Sequence, residues 1–236
     1  MHRVEVCLSP ALISQFELNN KILVIIDVLR ATSTFATALY YGLESIIPVA
    51  EVQTALDRAT HGYLTAGERD GKVIEGLAHG NSPTEYIDEY FKGKTLFMTT
   101  TNGTKCIALG ASADHIITAS FNNLTATIKY LNEQNKSVVL LCSGWKDRFN
   151  MEDTWCAGAI VEGIQQNFEI INDATSAALT LYKQVKNNML ERCKEISHYK
   201  RLVGNGINVK DINWCFQIDN APIVVKLIDN KLLAFT

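Results

Sequence analysis

The stretch Lys21-Ile22-Leu23-Val24-Ile25-Ile26-Asp27-Val28-Leu29-Arg30-Ala31-Thr32-Ser33-Thr34 decides the class of fold. Its apolar run, Ile22 to Ile26, reads as a strand buried on both faces, and the strand ends in a carboxylate. Arg30 and the hydroxyls of Thr32, Ser33 and Thr34 then open a helix. An α/β protein brings a metal and a phosphate together in this order of groups, so a phosphate-handling enzyme is the first expectation. An Asp capping the helix and an Arg in a surface ion pair would give the same local sequence, so the remaining parts of a site have to come from elsewhere in the chain.

Working outward, short β-branched runs alternate with helical stretches. Strands are expected at 21–26, 45–49, 63–66, 95–98, 115–118 and 137–141, and helices at 31–41, 52–61, 83–90, 104–109, 124–134 and 152–166. Such alternation predicts an α/β fold, a layered and mostly parallel sheet (or sheets) flanked by helices. From 172 to 200 the pattern turns helical, Gly204 to Gly206 breaks it, and 223–235 alternates as a hairpin about Asp229 and Asn230. No Pro-, Gly- or Ser-rich linker divides the chain. The expectation is a single domain over 1–236, or two intimately packed α/β lobes, with the repeating part at about 1–170 and the helical and hairpin part at about 171–236.

Composition narrows the function classes. The 236 residues are 47% hydrophobic and 20% charged, enough for a large buried core. A net charge of -3 argues against a broad nucleic-acid surface. Met1 leads directly into the mixed segment His2, Arg3, Val4, Glu5, with no signal-peptide pattern, and no apolar run approaches membrane-spanning length. Cys7, Cys106, Cys142, Cys156, Cys193 and Cys215 contain no CxxC pair and read as buried thiols in a reducing cytoplasm. The expected partners are a small anionic phosphoester and, at most, further copies of the chain; nucleic acid and membrane are not expected.

Loops at the carboxyl edge of a parallel sheet share one crevice, and four more polar loops follow the expected strands. Ala66-Gly67-Glu68-Arg69-Asp70-Gly71 places a carboxylate beside a guanidinium, a pattern that a hydrophilic turn alone would explain. Gly80-Asn81-Ser82-Pro83 looks like a helix start with Ser82 as N-cap and Pro83 in the first turn. Thr99-Thr100-Thr101-Asn102-Gly103-Thr104-Lys105 offers hydroxyls, a glycine and a helix N-terminus to an anion, without the spacing of a Walker A loop. Cys142-Ser143-Gly144-Trp145-Lys146-Asp147-Arg148 holds a cysteine and an arginine in C-x5-R spacing, the arrangement of cysteine phosphatases. Two residues intervene before the expected N-cap Asn150, so Arg148 is favoured as an anion ligand and Cys142 as a structural thiol.

Glu152 and Asp153 add two carboxylates at a helix start, where they are also good first-turn residues. With Asp27 and Glu68 they make an oxygen-ligand set suited to Mg²⁺. Leu29, two residues after Asp27, excludes the DxD spacing of haloacid-dehalogenase phosphatases. His2, His61, His79, His115 and His198 form no metal-ligand spacing.

Asp27-Val28-Leu29-Arg30-Ala31-Thr32-Ser33-Thr34, Gly67-Glu68-Arg69, Gly80-Asn81-Ser82-Pro83, Thr100-Thr101-Asn102-Gly103-Thr104, Cys142-Ser143-Gly144 and Glu152-Asp153 together resemble the 2-phosphosulfolactate phosphatase (ComB) family, in order and spacing, from about residue 21 to 163. The resemblance implies a Mg²⁺-dependent phosphatase on a ComB-like α/β fold. It would hydrolyse 2-phospho-3-sulfolactate, a step toward coenzyme M. In that reading Mg²⁺ is held by Asp27 with help from Glu68, Glu152 or Asp153, and a carboxylate among Asp27, Glu68 and Asp153 takes the proton of an attacking water. Arg30, Arg69 and Arg148 would share the substrate's phosphate, carboxylate and sulfonate. Thr32, Ser33, Asn81, Ser82, Thr100, Thr101, Asn102 and Gly103 would complete the cradle. A phosphatase for another small 2-phosphohydroxy acid and a non-catalytic small-anion binder are the alternatives.

Overall fold

A computed structural model of the chain describes residues 1–69 and 71–235; Asp70, in the second polar loop, and Thr236 lie outside the described residues. The elements follow in the order β1 (His2–Cys7), β2 (Lys21–Ile26), α1 (Ala31–Tyr40), β3 (Ser45–Pro48), α2 (Val52–Thr60), β4 (Thr65–Arg69), β5 (Lys72–Val73), β6 (Thr95–Thr99), α3 (Gly103–Leu109), β7 (His115–Ala119), α4 (Leu124–Glu133), β8 (Ser137–Cys142) and α5 (Met151–Ile164). Beyond them lie β9 (Phe168–Ile170), α6 (Asp173–Val185), α7 (Met189–Arg192), α8 (Ser197–Gly204), α9 (Val209–Cys215), β10 (Val224–Ile228) and β11 (Lys231–Phe235). The α/β expectation holds: the sheet is mostly parallel and helices flank it.

Among the described residues the strands form one sheet in the order β5-β4-β6-β3-β11-β10-β7-β2-β8-β1-β9. Strand β2 lies inside it, and its side chains alternate between two cores. Ile22, Val24 and Ile26 pack with Trp155 and Ile160 of α5 on one face, while Leu23 and Ile25 pack with Phe35 and Ala36 of α1 on the other. Period-two alternation of apolar residues on both faces explains why the run is continuous rather than amphipathic.

The C-terminal hairpin is the keystone of the sheet. Asp229 and Asn230 both hold positive φ, 48° and 62°, the requirement of a two-residue turn that matches strand twist. Its strands pair antiparallel with β7 on one side and β3 on the other. The group β3, β6, β4 and the group β7, β2, β8, β1, β9 are each parallel within themselves, and three antiparallel steps set them in opposite senses. In a flat sheet their carboxyl ends would lie at opposite edges. Yet a Cβ built on Gly103, just past β6, would stand 3.6 Å from Asp27 Oδ2, just past β2. The sheet therefore coils: a twist of roughly 20–25° per step turns β6 and β2 by about 100–125° and brings both ends to one side.

Several expectations need revision. The N-terminal segment, to which the sequence reading assigns no element, is strand β1, lying between β8 and β9. Strand β4 continues through Gly67, Glu68 and Arg69, so Glu68 projects from a strand and not from a turn. Residues 83–90 form two 3-10 turns, Pro83–Ile87 and Glu89–Phe91. Ser82 makes no capping bond there, because its hydroxyl is used elsewhere.

Candidate active site

The converging strand ends enclose a cavity of about 370 Å³. Among the described residues Asp27 and Glu68 supply its carboxylates. Asp27 is 6% exposed, and its Oδ1 accepts the Ala31 N–H at 3.3 Å, which sets the carboxylate at the start of α1. Burial, with the charge of Glu68 adding to it and that of His198 opposing it, pushes the Asp27 pKa up to about 6. Glu68 accepts the Thr101 N–H on Oε1 at 2.8 Å and the Gly71 N–H on Oε2 at 2.9 Å. It thereby ties β4 to the loop after β6. Gly103 completes that loop because a Cβ there would sit 2.8 Å from the Ala31 Cβ; only glycine lets the loop approach Asp27 this closely.

Arg30 brings a positive charge to the same cavity. Its guanidinium is 3.5 Å from Asp211 Oδ2 and donates to the Gly71 carbonyl at 3.1 Å. Asp211, on α9, also accepts the Ser82 hydroxyl at 2.7 Å and the Thr84 hydroxyl. One buried carboxylate thus fixes Arg30 and the loop holding Asn81. Asn81 Oδ1 and Thr101 Oγ1 are buried without a partner, and both residues line the cavity. Such buried orphans usually signal a missing ligand or water.

The far wall comes from the C-terminal part. His198, Arg201, Leu202 and Asn205 line the cavity at spacings of three, four and seven, one face of α8 and its C-cap. The Arg201 guanidinium lies 3.8 Å from the centroid of the Trp145 ring, and the Lys146 ammonium 4.8 Å from it. Trp145 and Lys146 belong to the fifth polar loop. Gly144 starts its tight turn with φ +60°, where a Cβ would meet the Arg148 carbonyl oxygen at 2.2 Å.

Asp27, Arg30, Glu68, Asn81, Thr101 and Asn102 are the expected residues that reach the cavity. The others are not among the residues that line it. The Thr32 hydroxyl lies between the Asp27 and Ala119 carbonyls, the Ser33 hydroxyl donates to the Val28 carbonyl, and both residues are fully buried. They satisfy backbone acceptors where an anion cradle was expected. Thr100 Oγ1 accepts the Thr104 N–H, and Ser82 serves Asp211. Arg69 donates to the Glu68 carbonyl and to Thr99 Oγ1. Arg148 is exposed, and its backbone closes the turn onto Trp145.

Two of the four expected metal carboxylates are also committed elsewhere. Asp153 Oδ1 accepts the Val28 N–H at 2.8 Å; Oδ2 accepts the Gly144 N–H at 3.1 Å and the Ser143 hydroxyl at 3.2 Å. Its carboxyl is raised well above the usual range by burial, then by the charges of Glu152 and Asp27. Glu152 pairs through Oε1 with His198 Nδ1 and lines a separate hollow beside Trp155. Cys142 is wholly buried, and burial, then the charge of Asp153, pushes its thiol up. That is the opposite of what a thiolate nucleophile needs.

Among the described residues no group of three or more His, Cys, Asp and Glu side chains is arranged to hold a metal. Mg²⁺ does not require one: it takes one or two carboxylates and fills its remaining positions with water and substrate phosphate. Asp27 and Glu68 fit that demand, since both reach the cavity and repulsion between them would be relieved by a shared cation. No helix of the described residues is long and apolar enough to cross a membrane.

The family model described as 2-phosphosulpholactate phosphatase matches residues 7–230. A protein of Caldanaerobacter subterraneus subsp. tengcongensis named probable 2-phosphosulfolactate phosphatase is 40% identical over 223 residues, 91% of each chain. Proteins with the same name from Thermotoga petrophila and Clostridium perfringens are 41% identical over 210 residues (89% of this chain, 90% of the relative) and 36% identical over 220 residues (90% and 88%). With a matching α/β fold, a cavity where its motifs converge and relatives along nearly its whole length, the chain belongs to the 2-phosphosulpholactate phosphatase family.

Proposed function

We infer that the protein hydrolyses 2-phospho-3-sulfolactate to 3-sulfolactate and phosphate, using Mg²⁺ held by Asp27 and Glu68. The observation that carries this reading is one cavity that joins two carboxylates to Arg30, Lys146 and Arg201. A protein that only bound anions would gain nothing from the carboxylates, which repel its ligand. For a metal-bridged polyanion the two sets are complementary.

Bound Mg²⁺ would neutralise phosphoryl oxygens and activate a water. The chain's own groups do the rest. Arg30, held by Asp211 and the Gly71 carbonyl, keeps N–H donors for an oxyanion in a fixed plane. Asn81, Thr101 and Asn102 supply neutral polar contacts along the wall. A carboxylate of the cavity would take the proton released by the attacking water. The buried Asp153 keeps the loops after β2 and β8 together, so these groups need little reorganisation when substrate arrives.

Six buried, unpaired cysteines support a reducing cytoplasmic setting, and the product would feed coenzyme M synthesis. The test is phosphate release from 2-phosphosulfolactate, phospholactate and phosphoglycerate in the presence of Mg²⁺. The reading expects the sulfonated ester to be cleaved with the highest kcat/KM. Equal or better cleavage of the other two would assign the family's chemistry to a different 2-phosphohydroxy acid.

A further inference from the structure

We propose that His198, oriented by the buried Glu152, faces the scissile ester from α8 and donates the proton that the leaving oxygen needs. The inference deepens the phosphatase reading and rests on it, because it assigns a group to the step that frees the alcohol.

Four observations converge on this pair. His198 is 7% exposed and lines the cavity, whereas Glu152, which is fully buried, does not. The ring therefore stands between the carboxylate and the cavity. Nδ1 is bound to Glu152 Oε1, so the opposite ring edge, with Nε2, is the one left for the cavity. A carboxylate behind a histidine fixes the ring and its tautomer, as in other His-carboxylate pairs that move protons. Glu152 Oε2 is buried without a partner, and Oε1 is the oxygen engaged by the imidazole. Among the described residues, Glu152 from α5 touches the ring and Asp27 beyond β2 interacts with its charge, Arg201 lies one turn along its own helix, and Arg30, Glu68 and Lys146 line the same cavity.

Hydrolysis of an alkyl phosphate expels a strongly basic alkoxide unless a proton arrives. In the step assigned here the water oxygen bonds to phosphorus, and the bond from phosphorus to the C2 oxygen breaks with its electron pair staying on that oxygen. The imidazolium Nε2–H proton moves to the same oxygen. The surplus proton of the attacking water goes to a cavity carboxylate and returns to Nε2 through solvent. His198 is then a catalytic residue and Glu152 a positioning residue.

The experiment compares wild type, His198→Asn and Glu152→Gln with 2-phosphosulfolactate and Mg²⁺. For His198→Asn the expected loss in kcat is about a hundredfold or more, with KM nearly unchanged; Glu152→Gln should lose less. The kinetic isotope effect of ¹⁸O in the bridging position is independent of how much of each variant is folded. It should rise in His198→Asn, or in Glu152→Gln if the former is too slow to time, because the bond then breaks without full protonation. A kcat within about threefold of wild type, or an unchanged isotope effect, overturns the assignment. If wild type itself releases no phosphate, the phosphatase reading has failed instead. The pair is then read by proton NMR: a far-downfield Nδ1–H resonance present in wild type and absent from Glu152→Gln supports the contact, and no such resonance in wild type refutes it.

Discussion

The backbone N–H of Val28 donates to Asp153 Oδ1 at 2.8 Å, so the residue after Asp27 is held by the first turn of a helix 125 residues further along the chain. The other oxygen of Asp153 takes donors from Ser143 and Gly144. Asp153→Ala leaves these buried donors unpaired, at about 1–3 kcal/mol for each one that water cannot reach. Urea unfolding should show at least about 2 kcal/mol lost, and kcat should fall with it. A variant as stable as wild type would mean that the two loops are joined by something else.

Asp27 gives a pH-dependent prediction whose sign follows from its raised pKa. The fold favours the acid form, so Asp27 contributes stability that is present below the unfolded value near 3.8 and is lost as pH rises through about 6. In the metal-free protein, Asp27→Asn removes a buried charge that has become costly at higher pH. A pKa difference of about two corresponds to about 3 kcal/mol. Thermal unfolding in a chelator should therefore show Asp27→Asn several degrees more stable than wild type at pH 8 and nearly equal at pH 4. The reverse order would mean that the Asp27 carboxylate is favoured by the fold.

Asp211 makes a prediction about Arg30. Removing it leaves a buried guanidinium without its counter-charge and frees Ser82 and Thr84. Asp211→Ala should destabilise by about 3 kcal/mol and raise KM by about tenfold or more. In a double-mutant cycle the added effect of Arg30→Ala should be much smaller than in wild type. Full additivity would contradict the coupling.

The arginines can be ranked by substitution. Arg148→Ala should leave KM within about twofold, because that side chain is exposed and does not line the cavity. Arg201→Ala, which removes the guanidinium stacked on Trp145, should raise KM for the sulfonated substrate about tenfold or more, the value of a charge-assisted contact. Steady-state kinetics on the two variants distinguish these outcomes.

The strand before Asp27, the helix after it and the closing hairpin are legible because each is a local pattern: a doubly buried run, a helix opening, a two-residue turn. The meeting of Asp27, Glu68, Arg30, Asn81, Thr101 and Asn102 at one cavity is legible as well, since they lie at strand ends and in the loops that follow. The sequence misleads at Thr32, Ser33 and Ser82, since a hydroxyl near a predicted phosphate site is equally able to serve a buried carbonyl or carboxylate. His198, Arg201 and Asp211 escape detection for another reason. They lie in the helical C-terminal part, and only the tertiary fold sets α8 against the cavity and Asp211 of α9 against Arg30. Their spacing on α8 is helical, but a polar helix face does not reveal whether it meets solvent or a substrate.

The most direct measurement of the central claim is phosphate release from 2-phosphosulfolactate by wild type and Asp27→Asn, each with saturating Mg²⁺ and with a chelator. The account predicts release by wild type only when Mg²⁺ is present, and a loss of at least about a hundredfold in the folded Asp27→Asn protein. Undiminished release in the chelator, or wild-type turnover by Asp27→Asn, would contradict it.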